Sequence, residues 1–271
     1  MSKSITCKPR VQASPLPYSR LRQHQSRHQA IEGIQMSERP DTVQILEGEG
    51  ATDYEIYIRT DELLALQPEP ETWKHPDELL FTVVHQSSEL WLKLGITAGY
   101  QAIKYVNQGS YLAAIRYLGR TKQCIDLTTD QLAMLEQMTP WDYQHVRTAL
   151  GHGSGFDSPG FRNLRSMLAD LVDAVLAALE RENHTLESIY LNVEENEALY
   201  ALIERVIDID EALMLWRSKH IKVIERTIGA NVSGTQGTPV SVVRGLRDKS
   251  VLQDIWDVRD RLTARADAEL S

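Results

Sequence analysis

The run FTVVHQSSELWLKL, residues 81–94, places one histidine in an otherwise apolar, helical-looking stretch. Phe81 and His85 are four residues apart, so on a helix they lie one above the other on a single face. A second histidine, His220, occurs in LMLWRSKHIKVIERTIG, where it shares a face with Trp216 and with Val223 or Ile224. Its imidazole therefore points towards packed side chains. Two inward histidines on different long helices suit a flat cofactor held between those helices, one ring as ligand and one opposite, with Trp216 on the cofactor side. The same pattern also describes two core histidines whose ring nitrogens find local partners.

Between them, DYQHVR puts Tyr143 and Arg147 four apart on one face. A guanidinium fork matches a carboxylate, and a tyrosine hydroxyl adds a further hydrogen bond. An exposed Tyr/Arg pair on a helix surface would look alike. The glycine-rich GHGSG, with Ser154, follows within a few residues; such a loop lets backbone approach a ligand, or merely ends a helix. After the His220 helix comes ANVSGTQGT, where Gly234 and Gly237 flank the hydroxyl of Thr235. This reads as a closing loop or a plain linker; no strand precedes it and no Gly-Lys-Ser/Thr follows, so it is not a phosphate loop. Tyr54 and Tyr57 in DYEIY are aromatics with polar tips, usual at interfaces or half-buried packing faces. No nucleophile elbow, HExxH or CxxC occurs.

The elements that must position these residues are helices. Strand alternation and hairpin signals are sparse, and a 3.6-residue period dominates. DYEIYIRTDELLAL leads into a proline-marked loop, after which Pro76, Asp77 and Glu78 open a long helix running to about Asn107. Further helices are expected from Tyr111 to Glu136, over WDYQHVRTAL, from Phe161 to Glu182, and from Glu195 to about Thr227, the last capped by Gly229. A final helix runs from about Val251 to the end. The expected fold is all-α, with residues 36–271 as one domain.

The net charge of -9 argues against nucleic acid as the main partner, since phosphate binding needs a basic face. Cys7 and Cys124 have no paired spacing, which excludes a disulfide framework or zinc cluster and points to a reducing, cytoplasmic setting. No stretch approaches the roughly 20 apolar residues of a membrane span. Residues 1–35 hold Lys3, Lys8, Arg10, Arg20, Arg22 and Arg27 but no acid before Glu32, and Pro9, Pro15 and Pro17 break any helix. They read as a flexible arm, or as sequence upstream of a start at Met36.

Together, DYEIYIRTDELLALQ, HPDELLFTVVHQSSELWLKL, MTPWDYQHVRTALGHGSGF, LWRSKHIKVIERTIG and, more loosely, DIWDVRDRL resemble the haem-dependent tryptophan 2,3-dioxygenase family, in the family's order. The resemblance implies a helical bundle enclosing haem b, with dioxygen as co-substrate. It makes His220 the axial ligand of the haem iron and His85 the distal residue beside the indole N–H, with Phe81 walling the same pocket. Arg147 and Tyr143 would grip the amino-acid carboxylate, Ser154 would lie over the haem, and Thr235 would contact the substrate's ammonium or carboxylate. Tyr54 and Tyr57 would reach a neighbouring subunit's site, implying a homodimer or homotetramer. The implied reaction is oxygen attack at the indole C2–C3 bond of L-tryptophan or a close derivative, opening the ring to an N-formylkynurenine-type product. Two departures keep rivals in view: the chain is shorter than the family between Arg147 and His220, and its loop reads SGTQGTPV. A monooxygenase inserting one oxygen atom with a reductant is the enzymatic rival, and a haem-binding sensor the non-enzymatic one.

Overall fold

The computed structural model describes residues 44–151, 153–234, 237, 239–245, 250 and 252–270. The expected arm of residues 1–35 and the loop residue Thr235 lie outside them. The chain divides into two compact units, one ending at Trp73 and one beginning at Lys74. All regular structure among the described residues is helical, apart from an isolated antiparallel bridge between Ser233 and Pro239, as the all-α expectation requires. None of the described helices is long and apolar enough to cross a membrane.

In the first unit, DYEIYIRTDELL forms two short helices, α1 (Asp53–Ile58) and α2 (Thr60–Leu64). The Thr52 hydroxyl caps α1 by accepting the Glu55 amide. The Asp53 carboxylate accepts the amides of Ile45 at 3.0 Å and Leu46 at 2.8 Å, folding the preceding segment onto the helix start. Arg59 separates the two helices in the left-handed region, with φ 58°, a conformation that Cβ sterics disfavour.

The second unit is built on four long helices: α3 (Glu78–Asn107), α4 (Tyr111–Asp130), α7 (Pro159–Arg181) and α9 (Glu197–Thr227). Between them in sequence lie α5 (Leu132–Leu135), α6 (Pro140–Ala149) and α8 (Leu186–Leu191), and after α9 come α10 (Val240–Gly245), α11 (Gln253–Trp256) and α12 (Val258–Leu270). Helix α3 packs on α4 and α7, and α4 packs on α9. The core is the meeting of their apolar stripes: Leu92, Ala102 and Val106 of α3, Leu118 and Ile125 of α4, Leu164, Leu168, Leu171 and Val175 of α7, and Leu202, Val206 and Ile209 of α9. These positions recur at helical spacing, and each buried large side chain contributes about 1.5–3 kcal/mol of transfer free energy.

Local chemistry sets the helix ends. Buried Glu78 accepts the amides of Lys74 and His75, turning the proline loop into the start of α3. Helix α9 ends as its sequence suggests, with Gly229 at φ 99° and its N–H closing on the Glu225 carbonyl at 3.1 Å. The helix expected to run unbroken from Tyr111 to Glu136 instead stops at Asp130 and resumes as α5. The hydroxyls of Thr128 and Thr129 both donate to the Ile125 carbonyl, at 2.7 and 3.0 Å, which bends a helix. Just beyond, the Gln131 amide is held by Ser87 and Ser88 of α3. Helix α8, absent from the sequence expectation, starts at a reciprocal cap between Thr185 and Ser188. Midway along α9, buried Asp210 accepts the indole N–H of Trp256 at 3.0 Å and the Ser250 hydroxyl, tying the C-terminal helices to it.

Candidate functional site

A cavity of about 490 Å3 opens within the second unit. Its walls come from α3, α6, the segment 153–158, the first turns of α7, and α9. Phe81, His85, Tyr143, Arg147, Ser154, Trp216 and His220, each singled out in the sequence, all face it. The segments that carry them are spread along the chain from Phe81 to His220. Tyr54 and Tyr57 belong to the first unit, where their rings are 68% and 79% exposed.

On the α3 wall the Phe81 and His85 rings stack with centroids 4.0 Å apart, as the spacing of four requires. The His85 Nδ1–H donates to the Phe81 carbonyl at 2.7 Å, which leaves Nε2 as the ring's acceptor. Surrounding protein lowers the His85 pKa: desolvation dominates, against smaller opposing effects from that hydrogen bond and from Glu89. The ring is therefore a neutral acceptor at neutral pH.

On the α9 wall the His220 imidazole stacks on Trp216 at 4.8 Å, and Trp216 in turn packs on Phe161 of α7 at 3.9 Å. No described residue hydrogen-bonds the His220 ring. Burial, with a minor contribution from His85, pushes its pKa down to about 4. A neutral imidazole with a free lone pair, facing a cavity, is the form that ligates a metal. The 153–158 segment passes along one edge of the ring, where a Cβ added to Gly155 would stand 3.9 Å from His220 Cε1.

Helix α6 begins at Pro140, with the Thr139 hydroxyl accepting the Asp142 amide. Its face carries Tyr143, 6.3 Å from Phe81 between ring centroids, and Arg147 one turn on. Burial raises the Tyr143 pKa against the opposing charge of Arg147, so its hydroxyl stays a donor. Arg147 Nη2 reaches the Ser233 carbonyl at 3.5 Å, in the loop that follows α9. Helices α3 and α6 are joined at their starts by His75, a histidine to which the sequence lent no role. Its Nδ1 accepts the Asp77 amide at 3.2 Å and its Nε2 lies 3.4 Å from an Asp142 oxygen, while its ring stacks on His145.

Among the cavity residues that were not legible as site residues are Glu89, Arg165 and Arg217. Glu89 had one available signal, its position one turn beyond His85 on the same face. Arg165 and Arg217 sit in helices whose amphipathic patterns give no reason to prefer them to other surface arginines. They add cationic charge to a cavity whose other walls are largely aromatic and aliphatic.

Residues 40–178 match the family model described as tryptophan 2,3-dioxygenase, a span that includes His85, Tyr143 and Arg147. Among similar curated proteins, the tryptophan 2,3-dioxygenase of Caulobacter vibrioides is 31% identical over 260 residues, covering 77% of this chain and 98% of the relative. The protein of the same name from Shewanella woodyi is 30% identical over 260 residues, with 77% and 90% covered. That from Bacillus cereus is 28% identical over 259 residues, with 77% and 92% covered.

Proposed function

The chain belongs to the tryptophan 2,3-dioxygenase family and is an oxidoreductase, and from that premise we propose that it is a haem-dependent oxygenase of L-tryptophan or a close derivative. The proposed reaction adds dioxygen across the indole C2–C3 bond and opens the ring to an N-formylkynurenine-type product. The observation that carries the reading is one cavity with a neutral imidazole on one wall, without a hydrogen-bond partner among the described residues, and a second neutral imidazole, an arginine and a tyrosine on the others.

The donor set fits haem. His220 would hold the iron, and Trp216 with Phe161 forms a flat apolar wall beside it. Arg165 and Arg217 bring positive charge suited to the carboxylates of such a group. When bound, haem supplies the redox-active iron that lets dioxygen react with an aromatic ring.

The protein's own groups bind and orient the substrate. Arg147 would take the amino-acid carboxylate as a bidentate fork, with the Tyr143 hydroxyl donating a third hydrogen bond. His85 Nε2, the acceptor left by the Phe81 carbonyl, would accept the indole N–H, and Phe81 would pack on the indole face. Ser154 at the cavity margin would face the bound molecule. Fixing carboxylate and ring together makes the encounter with oxygen effectively unimolecular. A haem sensor needs no carboxylate clamp, which favours the enzyme. The exposed rings of Tyr54 and Tyr57 suit contact with a second copy, as a homodimer or homotetramer.

The test is turnover of L-tryptophan with isotopically labelled dioxygen, followed by product mass. Two labelled atoms in a ring-opened product are expected. One labelled atom, together with a requirement for added reductant, would replace ring cleavage with monooxygenation.

A further inference from the structure

Glu89 lies on α3 one turn beyond His85, half-buried at the cavity margin. Both of its carboxylate oxygens are used by α7. Oε1 accepts the Ser158 hydroxyl at 2.5 Å, and Oε2 accepts the Gly160 amide at 2.9 Å. The start of α7 is thus satisfied by another helix. Pro159 has no N–H to offer, the Gly160 amide goes to Glu89, and the Phe161 amide goes to the Ser158 hydroxyl at 3.2 Å. A carboxylate at this end also meets the favourable end of the helix dipole.

The approach at Gly160 is close, and a side chain there would require Glu89 or Leu92 to shift. An added Cβ would stand 2.6 Å from Glu89 Oε2 and 2.7 Å from Leu92 Cδ1. Ser158 is also the last residue of the 153–158 segment, which brings Ser154 and Gly155 to the cavity beside His220. At its other end the segment leaves α6, the helix of Tyr143 and Arg147. One carboxylate therefore fixes the segment to the helix that carries His85 and Phe81.

We infer that Glu89 is a positioning residue: by holding Ser158 and Gly160 it sets the 153–158 segment, which passes the edge of His220, against the His85 helix and so shapes the cavity between the two histidines where the substrate would lie. The inference rests on the proposed haem and tryptophan site for its functional consequence, whereas the link itself is a property of the protein alone. The role requires two hydrogen bonds and no proton transfer. A glutamine can meet it, its oxygen accepting the Gly160 amide and its NH2 donating to Ser158 Oγ.

The experiment compares full-length wild type with Glu89→Ala, Glu89→Gln, Ser158→Ala and the double alanine variant. Amide exchange across residues 153–160 without added haem reads the link. The haem-band change on adding L-tryptophan, without oxygen, reads its consequence. We expect faster exchange in Glu89→Ala and an affinity for tryptophan weakened about tenfold, as for loss of a charge-assisted hydrogen bond, with haem affinity changed less than about twofold. Glu89→Gln recovers most of the loss, and Ser158→Ala adds little to Glu89→Ala because the two share one link.

Unchanged exchange in Glu89→Ala overturns the link. Faster exchange with unchanged tryptophan affinity overturns its role at the site, and a glutamine variant as impaired as alanine replaces positioning with a role for the charge. If Glu89→Ala does not fold, the same two readouts on Ser158→Ala and Glu89→Gln decide. A wild-type protein whose haem band ignores tryptophan sinks the proposed function instead, and the exchange result still stands.

Discussion

The two histidines on facing walls of the cavity look alike in sequence, each a single imidazole in a long amphipathic helix, yet the fold treats them oppositely. His85 spends Nδ1 on the Phe81 carbonyl and has a carboxylate, Glu89, one turn away. His220 has an indole stacked on its face and no hydrogen-bond partner among the described residues. Desolvation by the surrounding protein lowers both pKa values. The difference teaches that neutrality alone does not make a ligand. A metal-binding ring needs its free nitrogen presented to space, whereas a ring already oriented by a backbone carbonyl is suited to accept one hydrogen bond from a substrate.

The sharpest way to break that contrast is to remove each ring in turn. His220→Ala is expected to abolish haem retention, and His85→Ala to keep haem while altering rate or product ratio. Absorption of the purified variants after growth with ample haem measures this, and full haem occupancy in His220→Ala would reverse the assignment.

A smaller effect tests the neutrality both rings share. The unfolded chain takes up a proton on His220 near pH 6.5, whereas the folded chain does so only near pH 4. More protons are then bound by the unfolded state between these values, so stability falls as pH drops from about 6.5 towards 4. The loss is at most roughly 3 kcal/mol for this group. Thermal melts of haem-free protein should show the decline, and His220→Gln should flatten it. A melting temperature that does not move between pH 7 and 5 would contradict the depressed value.

Smallest is the effect of a substitution off both walls. Arg147→Ala should weaken L-tryptophan about tenfold, through KM more than kcat, as loss of a charge-assisted fork does. An unchanged KM would remove the arginine from the substrate's carboxylate.

Much of this site was legible because helical spacing reports which side chains share a face. Phe81 with His85, Tyr143 with Arg147, and Trp216 with His220 all pair as their intervals of four demand. The cap at Gly229 was readable for the same local reason. The break at Gln131 was not, since it depends on serines of α3 more than forty residues away as well as on local threonine back-bonding. The half-exposed Arg217 looked like any surface arginine, because a single chain of letters does not say which surface encloses a cavity.

Sequence alone determined the all-α class, the faces of the long helices and the residues able to ligate, clamp or stack, because periodicity and capping act over one or two turns. Only tertiary structure decided that those faces converge on one cavity, that His220 has no hydrogen-bond partner among the described residues while His85 has one, and that Glu89 is used by the start of α7. The physical reason is range: each of these facts depends on side chains dozens of residues apart, whose meeting is set by how whole helices pack.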